Sequence, residues 1–275
     1  MTLTRTQVRD LLDSHGLSPS RALGQNFVVE PNTLRQIVRL ARVQPGDRVV
    51  EIGAGLGCLS LALAEAGARV TAIEVDRHLI PVLTEVVAGA DVRVIEADAL
   101  TLDWEALLGD GATPVPLVAN LPYNVATPLV LDLLDKVPAL DPMLVMVQKE
   151  VGERLAASPG TPAYGIPSVK VAYWGSAEVV AKVPATVFHP RPNVDSVLVS
   201  IRRRTDGPAT AADPDLLFRL VRAGFGQRRK MLRRSLAGLA DEAAMELADI
   251  RPDARGETLS VIEWGRLAMV VAGRS

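Results

Sequence analysis

The chain has 275 residues, of which 48% are hydrophobic, 23% charged and 4% aromatic, which is typical of a globular protein with one large domain or a large and a small one. The net charge of −2 gives no overall attraction for a polyanion, and the single cysteine, Cys58, excludes an intrachain disulfide and a cysteine-based metal cage. The three histidines show no ligand spacing, so no metal site is predicted.

No segment of the sequence suggests export or insertion into a membrane. The N-terminus lacks the apolar core of a signal peptide. The longest uncharged stretch, 111–131, contains four prolines and two asparagines, which a membrane-spanning helix would not tolerate. We therefore expect a cytoplasmic protein without a membrane partner.

Hydrophobic periodicity predicts helices first and then an alternation of strands and helices. Amphipathic helices are predicted over 4–15 and 31–42, on either side of the segment "SRALGQNFVV". The strands that follow are predicted at 48–52, 69–76, 91–98, 114–120 and 143–148, with helices at 58–67, 79–89, 127–137 and 149–157. Such alternation is typical of a parallel α/β sheet that helices cover on both faces.

The pattern changes near residue 175. Segments 177–184 and 196–204 read as strands with no helix between them, and we expect them to pair antiparallel at the sheet edge. Residues 205–215 are rich in Pro, Ala and Asp, as in a linker, and only helices are predicted after them. We therefore predict an α/β domain over 1–204 and a small all-helical domain over 205–275.

A glycine-rich turn follows the first sheet strand. Gly53, Gly55 and Gly57 lie between a strand and a helix, where glycine permits positive φ and close approach of a ligand to the backbone. The spacing is G-x-G-x-G rather than the G-x-G-x-x-G of dinucleotide sites, which makes an NAD pyrophosphate site less favoured. A plain tight turn explains the glycines equally well when the turn is considered alone.

Acidic side chains end the next two strands. Glu74 lies about twenty residues beyond the turn, where a carboxylate can accept hydrogen bonds from a ribose diol. Asp98 ends the third strand and could accept one from an adenine amino group. Either acid alone could be a helix cap, but together with the turn they favour a nucleoside ligand. S-adenosylmethionine fits, because it lacks a pyrophosphate.

Eight motifs then match the pattern of one protein family. In chain order they are "GQNF", "EIGAGLG", "IEVD", "EADAL", "NLPYN", "MVQKEVGERL", "FHPRPNVDSVLV" and "FGQRRKMLRRSL", and the resemblance covers about residue 20 to about residue 270. On these motifs the chain resembles the KsgA-type ribosomal RNA adenine dimethyltransferases. The resemblance implies a class I S-adenosylmethionine-dependent methyltransferase domain with a Rossmann-like α/β sheet, followed by a small helical domain.

The resemblance also implies roles for particular residues. Asn26 and Val28 would line the cofactor pocket, although the family usually has Leu where this chain has Val28. Gly53 would approach the methionine part of S-adenosylmethionine, and Gly55 would also bind the cofactor. The resemblance supports Glu74 as the ribose ligand and Asp98 as the adenine ligand, and it places Asn120 between the cofactor and the target base.

The stretch Asn120-Leu121-Pro122-Tyr123 would carry the chemistry. The exocyclic amine of adenine is a weak nucleophile, and a hydrogen bond from it to the Asn120 side chain or the Leu121 carbonyl would localise its lone pair. Pro122 makes the turn rigid, and Tyr123 offers a stacking face for a flipped base. Phe188 is a further candidate, which would cover the other face of the base.

A basic cluster lies near the start of the predicted C-terminal helical domain. No acid occurs between residues 216 and 240, and the cluster contains Arg228, Arg229, Lys230, Arg233 and Arg234. It could be a solvated face, but with the methyltransferase resemblance we favour contact with rRNA phosphates, which implies strong salt dependence.

The resemblance implies a particular reaction. A monomer would methylate the exocyclic amines of two adjacent adenosines near the 3′ end of 16S rRNA within the assembling 30S subunit. S-adenosylmethionine would be converted to S-adenosylhomocysteine without a metal. Two alternatives stay open: a macrolide-resistance-type methylase of large-subunit rRNA, and a non-catalytic assembly or RNA-binding factor.

Overall fold

The structure, a computed structural model, describes residues 2–20, 22–109 and 113–274. The strands are β1 (Phe27–Val28), β2 (Arg48–Ile52), β3 (Arg69–Glu74), β4 (Val92–Glu96), β5 (Val115–Asn120), β6 (Leu140–Gln148), β7 (Gly175–Val183), β8 (Phe188–His189) and β9 (Ser196–Arg203). Short 3-10 turns cover Ala185–Val187 and Gly256–Thr258.

The α-helices occupy both the sheet-forming part and the C-terminal part of the chain. They are α1 (Arg5–Ser14), α2 (Pro31–Ala41), α3 (Cys58–Glu65), α4 (Ile80–Val86), α5 (Trp104–Leu108), α6 (Ala126–Lys136), α7 (Lys149–Leu155), α8 (Ile166–Trp174), α9 (Pro214–Gly226), α10 (Leu232–Ser235), α11 (Glu242–Leu247) and α12 (Val261–Ala272). Within the described ranges, no helix is long and apolar enough to cross a membrane.

The strands assemble in the order β4-β3-β2-β5-β6-β9-β7, with β1 and β8 forming a separate antiparallel pair. The first five run parallel, and β9 runs antiparallel to β6. Because parallel strands end at the same edge of a sheet, the residues after β2, β3, β4 and β5 meet at one edge. The glycine turn, Glu74, Asp98 and Asn120 are therefore brought together.

Burial explains why the central strands form. Val49, Val50 and Ile52 on β2 are all buried, as expected for a parallel strand covered on both faces. Glu51 is the polar exception: it is 1% exposed, and its carboxyl group accepts a hydrogen bond from the Ser60 hydroxyl. Burial raises the pKa of Glu51 to about 8, so this carboxyl is protonated at neutral pH.

The chain divides into two compact units. One comprises Met1–Gly152 with Glu178–Arg202, and the other comprises Glu153–Ala177 with Arg203–Ser275. The second unit is built from helices whose core includes the fully buried Trp264. Gly224 allows that packing, because a Cβ there would lie 2.5 Å from the Trp264 ring. The sequence predicted a boundary after residue 204, which would assign residues 153–177 to the first domain and not to the second unit. As a division of function between two domains, that boundary stays a prediction.

The predicted fold class is confirmed, and most of the predicted elements are present. The strand predicted at 48–52 has the same bounds in the structure, and the C-terminal part described to residue 274 is helical. Segments 177–184 and 196–204 correspond to neighbouring strands at the sheet edge, where β9 pairs antiparallel with β6. The short helix α5, the helix α8 and the β1–β8 pair were not predicted.

Candidate active site

A cavity of about 210 Å³ opens at the carboxyl edge of the parallel strands. Its lining comes from the ends of β2, β3, β4 and β5 and from the N-terminal segment 23–27. Of the residues predicted to bind a cofactor, the lining includes Asn26, Gly53, Gly55, Glu74, Asp98 and Asn120. Leu121, Pro122 and Tyr123 also line it. The structure thus brings most of the predicted site together.

The glycine turn forms the floor of this cavity. Gly53 and Gly55 have φ values of +73° and +59°, which other residues rarely adopt. A Cβ on Gly55 would lie 2.8 Å from the Phe27 ring, and one on Gly53 would lie 3.4 Å from Cδ of Pro122. A side chain at position 55 would therefore collide with Phe27, and one at position 53 would contact Pro122.

Glu74 is held by backbone hydrogen bonds on both carboxylate oxygens. The Gly55 N–H donates to Oε2 at 2.7 Å, and the N–H groups of Val75 and Asp76 donate to Oε1 at 2.9 Å. Burial raises the pKa of Glu74, and these N–H donors oppose the rise. Because each carboxylate oxygen has two lone pairs, the group retains acceptor capacity toward a ligand.

Asp98 occupies a more exposed part of the cavity wall. Its Oδ1 accepts a hydrogen bond from the Leu100 N–H at 2.9 Å. Apolar side chains surround this part of the wall: Leu23, Val75 and Leu100 line the cavity and are 37%, 51% and 40% exposed. The sequence analysis missed these three residues, although Val75 and Leu100 lie one and two positions after the predicted acids.

Asn120 is oriented by the N-terminal segment. Its Nδ2 donates to the Asn26 carbonyl at 2.8 Å, which leaves Oδ1 as the acceptor offered by the side chain. The following residue, Leu121, is buried, and its N–H donates to the Met146 carbonyl on β6 at 3.0 Å. The turn is thus attached both to the sheet and to the segment that precedes α2.

A second asparagine in the turn, Asn124, also donates a hydrogen bond to a backbone carbonyl of the N-terminal segment. Asn124 lines the cavity, and its Nδ2 donates to the Ala22 carbonyl at 2.8 Å. Between the two contacts lies Gly24, with φ +64°, where a Cβ would be 2.9 Å from Oδ1 of Asn124. On the opposite side, Gln25 Nε2 donates to the Asp76 carboxylate at 2.8 Å. Segment 22–26 is thereby fixed to the turn and to the end of β3.

Tyr123 lines the cavity and is half-buried. The Tyr123 hydroxyl lies 2.7 Å from Oγ of Ser196, which is fully buried at the start of β9. Burial raises the pKa of this phenol, so it stays neutral at physiological pH.

Val28 and Phe188 lie outside the cavity lining. They face each other in the β1–β8 ladder, and their side chains are 3% and 0% exposed. Both belong to the hydrophobic core of the first unit. The structure therefore does not place Phe188 where a base could stack on it, nor Val28 in contact with a ligand in the cavity.

The five predicted basic contacts are all exposed, but they differ in their partners. Arg228 pairs with Glu257 at 2.5 Å and donates to the Pro162 carbonyl at 2.8 Å. Arg233 lies 3.8 Å from the Glu242 carboxylate. The side chains of Arg229, Lys230 and Arg234 make no ion pair or hydrogen bond with any residue that the structure describes, although the backbone N–H groups of Lys230 and Arg234 donate to the Gln227 and Met231 carbonyls. The three side-chain charges are therefore available to a ligand.

No group of three or more His, Cys, Asp or Glu side chains in the ranges 2–20, 22–109 and 113–274 is arranged to hold a metal ion. His189, the histidine of the "FHPRP" motif, has a pKa lowered by partial burial and by the neighbouring Arg5 and Arg9.

This sheet, with a cavity at its carboxyl edge, is the class I methyltransferase fold. Many solved structures share it, among them the following two. A dimethyladenosine transferase from Plasmodium falciparum aligns with a TM-score of 0.73 at 24% identity, over 87% of this chain and 95% of that chain. The 23S rRNA methyltransferase ErmE aligns with a TM-score of 0.65 at 26% identity, over 90% of this chain and 99% of that chain.

Sequence comparison defines the family more narrowly. The family model described as ribosomal RNA adenine dimethylase matches residues 17–272. A relative from Kineococcus radiotolerans is 49% identical over 97% of this chain and 90% of its own, and one from Thermobifida fusca is 47% identical over 97% and 95%. Both are described as ribosomal RNA small subunit methyltransferase A. The chain belongs to the ribosomal RNA adenine dimethylase family and is a methyltransferase.

Proposed function

We propose that this enzyme transfers methyl groups from S-adenosylmethionine to the exocyclic amines of two adjacent adenosines near the 3′ end of 16S rRNA. The products are dimethyladenosines and S-adenosylhomocysteine, formed in the cytoplasm by a monomer acting on the assembling 30S subunit. The observation that carries the proposal is the orientation of Asn120, whose Nδ2 is engaged by Asn26 so that Oδ1 serves as acceptor.

The cavity residues fit S-adenosylmethionine, which would supply a methyl group made electrophilic by its sulfonium. The side-chain-free surface of Gly53 and Gly55 would adjoin the methionine part. Glu74 would accept a hydrogen bond from a ribose hydroxyl on Oε2, the oxygen that accepts only one backbone N–H, and Asp98 would accept one from the adenine amino group. The apolar wall made by Val75 and Leu100 suits an adenine ring. No cation ligand is needed for this set of contacts.

The turn would prepare the nucleophile. A hydrogen bond from the adenine amine to Oδ1 of Asn120 or to the Leu121 carbonyl withdraws the nitrogen lone pair from the ring and directs it at the methyl group. Because both acceptors belong to a turn fixed by hydrogen bonds to Asn26 and Met146, they need little reorganisation during the reaction. The Tyr123 ring would stack on the flipped base.

An amide suits this position better than a carboxylate. Asp at position 120 could not donate to the Asn26 carbonyl, and its charge would repel RNA phosphates. A strong base is not required early, since the amine proton becomes acidic only after the methyl group is bonded. The rate would therefore come from positioning and electrostatics. A second transfer requires space for the first methyl group and uses the one N–H that remains.

The proposed substrate is supported by the relatives at 46–49% identity, which are described as small-subunit methyltransferases. The test is to incubate the protein with radiolabelled S-adenosylmethionine and, separately, unmethylated small subunits, large subunits and naked rRNA. We expect label in small-subunit RNA alone. Label in large-subunit RNA would indicate a resistance-type methylase, and binding without label would indicate an assembly factor; either result contradicts the proposal.

A further inference from the structure

The Tyr123 ring is attached to the protein at both of its ends. Its backbone follows Leu121, whose N–H donates to the Met146 carbonyl at 3.0 Å. At the far end of the ring, the Tyr123 hydroxyl and the Ser196 hydroxyl lie 2.7 Å apart. A phenol ring has two side-chain torsions, so anchoring the hydroxyl as well as the backbone restricts the plane of the ring.

Ser196 is itself held in place by the sheet. It is 0% exposed and lies opposite Gln148 in the β6–β9 ladder, next to the strand that carries Met146. The preceding residue, Asp195, accepts a hydrogen bond from the Lys149 N–H on its carbonyl at 3.0 Å, and another from the Ala185 N–H on Oδ1 at 2.9 Å. The serine hydroxyl is therefore a fixed point rather than a mobile partner.

Ser196 lies outside the cavity lining, so it has no direct route to the substrate. We propose that Ser196 is a positioning residue that sets the plane of the Tyr123 ring, and through it the plane in which the target adenine is stacked. This inference rests on the proposed function of the turn. It explains why position 123 carries a tyrosine, since phenylalanine offers the same stacking face without the anchor.

A purely structural role for the same hydrogen bond predicts different behaviour. If the bond only stabilises the fold, its loss lowers the melting temperature and leaves kcat/KM per folded molecule unchanged. If it positions the ring, its loss lowers kcat/KM for the RNA substrate at unchanged affinity for S-adenosylmethionine. In the second case the two hydroxyls also act as a unit, so removing both costs no more than removing either one.

The experiment compares Ser196→Ala, Tyr123→Phe and the double variant with the wild type on unmethylated small subunits. Ser200→Ala is the matched control, because Ser200 lies on the same strand and, by the alternation of side chains, on the same face. Single-turnover kcat/KM, affinity for S-adenosylmethionine and melting temperature are measured for each protein. We expect each single variant and the double variant to lose about three- to tenfold in kcat/KM, as for one hydrogen bond, and the control to lose nothing.

Each outcome bears on the inference. Unchanged kcat/KM in Ser196→Ala, or fully additive losses in the double variant, overturns the role of Ser196 and leaves the proposed function intact. If Ser196→Ala does not fold, Tyr123→Phe decides, and wild-type kcat/KM in that variant overturns the inference. A wild-type protein that methylates no small subunit overturns the proposed function together with this inference.

Discussion

The turn 120–124 and the basic segment 227–234 place functional side chains in opposite ways. In the turn, Asn120, Tyr123 and Asn124 each hydrogen-bond to a residue far away in the chain, so their positions are fixed before any ligand binds. In the basic segment, Arg229, Lys230 and Arg234 are exposed and unpaired among the residues described. A reacting amine requires fixed acceptors, whereas phosphate contacts need charge and tolerate mobile side chains.

The largest effect should follow from removing the fixed acceptor. We expect Asn120→Ala to lower single-turnover methylation by about 10²- to 10³-fold, the scale for loss of one preorganised polar contact in an active site. Affinity for S-adenosylmethionine, measured by calorimetry, should change little. The control is Asn32→Ala, an exposed asparagine on α2. Methylation near the wild-type rate in Asn120→Ala would show that the turn does not supply the acceptor.

The buried carboxyl group of Glu51 on β2 gives a pH-dependent effect on stability. Glu51 has a pKa of about 8 when folded against an ordinary value of 4.5, so the unfolded chain releases this proton first as the pH rises. The contribution of Glu51 to the free energy of unfolding is therefore fully present below about pH 4.5. It decreases by roughly 1.4 kcal/mol per pH unit as the pH rises from there to about 8.

Glu51→Gln removes this proton and therefore isolates its effect. Between about pH 5.5 and about pH 7.5, the free energy of unfolding of the variant should gain about 3 kcal/mol relative to the wild type, as measured by urea unfolding. Glu96→Gln, an exposed change at the end of β4 in the same sheet, should show no such trend. A constant difference between Glu51→Gln and the wild type across this range would mean that Glu51 is ionised in the folded protein.

Loss of Glu74, the buried carboxylate that we propose as the ribose acceptor, should weaken cofactor binding. In Glu74→Gln the amide nitrogen must face at least one of the N–H donors from Gly55, Val75 and Asp76, and one acceptor is lost. We expect affinity for S-adenosylmethionine to fall by about 10- to 100-fold, the range for a hydrogen bond to a charged group. Glu96→Gln again serves as the control, and equal affinities for the two variants would remove Glu74 from the site.

The basic segment should affect how strongly the affinity for small subunits depends on salt concentration. Replacing Arg229, Lys230 and Arg234 by Gln should reduce the slope of log affinity for small subunits against log salt concentration by about 2 to 3. Affinity for S-adenosylmethionine should not change. A matched variant removes three exposed arginines of the first unit: Arg39, Arg48 and Arg93. If both triple variants change the slope equally, only net charge matters and the segment makes no specific contact.

Arg228 offers an internal comparison within the same segment. Because it is paired with Glu257 and the Pro162 carbonyl, Arg228→Gln should leave the salt slope nearly unchanged. Its effect should be a loss of about 0.5 to 1 kcal/mol in the free energy of unfolding, as for a partly exposed ion pair. A change in slope as large as one-third of the triple variant's would assign Arg228 to the RNA contact.

Most of the fold could be predicted because parallel strands are short continuous apolar runs, as at residues 143–147 of β6. Strand ends also identify the candidate site, since Glu74, Asp98 and Asn120 each end or follow such a run. The β1–β8 ladder is too short to leave a periodic pattern, which is why the burial of Phe188 was not foreseen.

Contacts between distant parts of the chain were equally inaccessible from sequence. Asn124 and Ala22 are 102 residues apart, Tyr123 and Ser196 are 73 apart, and Gln25 and Asp76 are 51 apart. None of these pairs has a local pattern, because each depends on how the N-terminal segment or β9 packs beside the turn. The same holds for the ion pair between Arg228 and Glu257, because in the sequence Arg228 cannot be distinguished from the unpaired basic residues beside it.

The most direct test of the account is the identity of the methylated product. Unmethylated small subunits are incubated with S-adenosylmethionine and either the wild type or Asn120→Ala, and the rRNA is digested and analysed by mass spectrometry. We predict two adjacent adenosines near the 3′ end that carry two methyl groups each on the exocyclic nitrogen, formed by the wild type and nearly absent with the variant. Methylation at another atom or another RNA, or equal products from both proteins, would contradict the account.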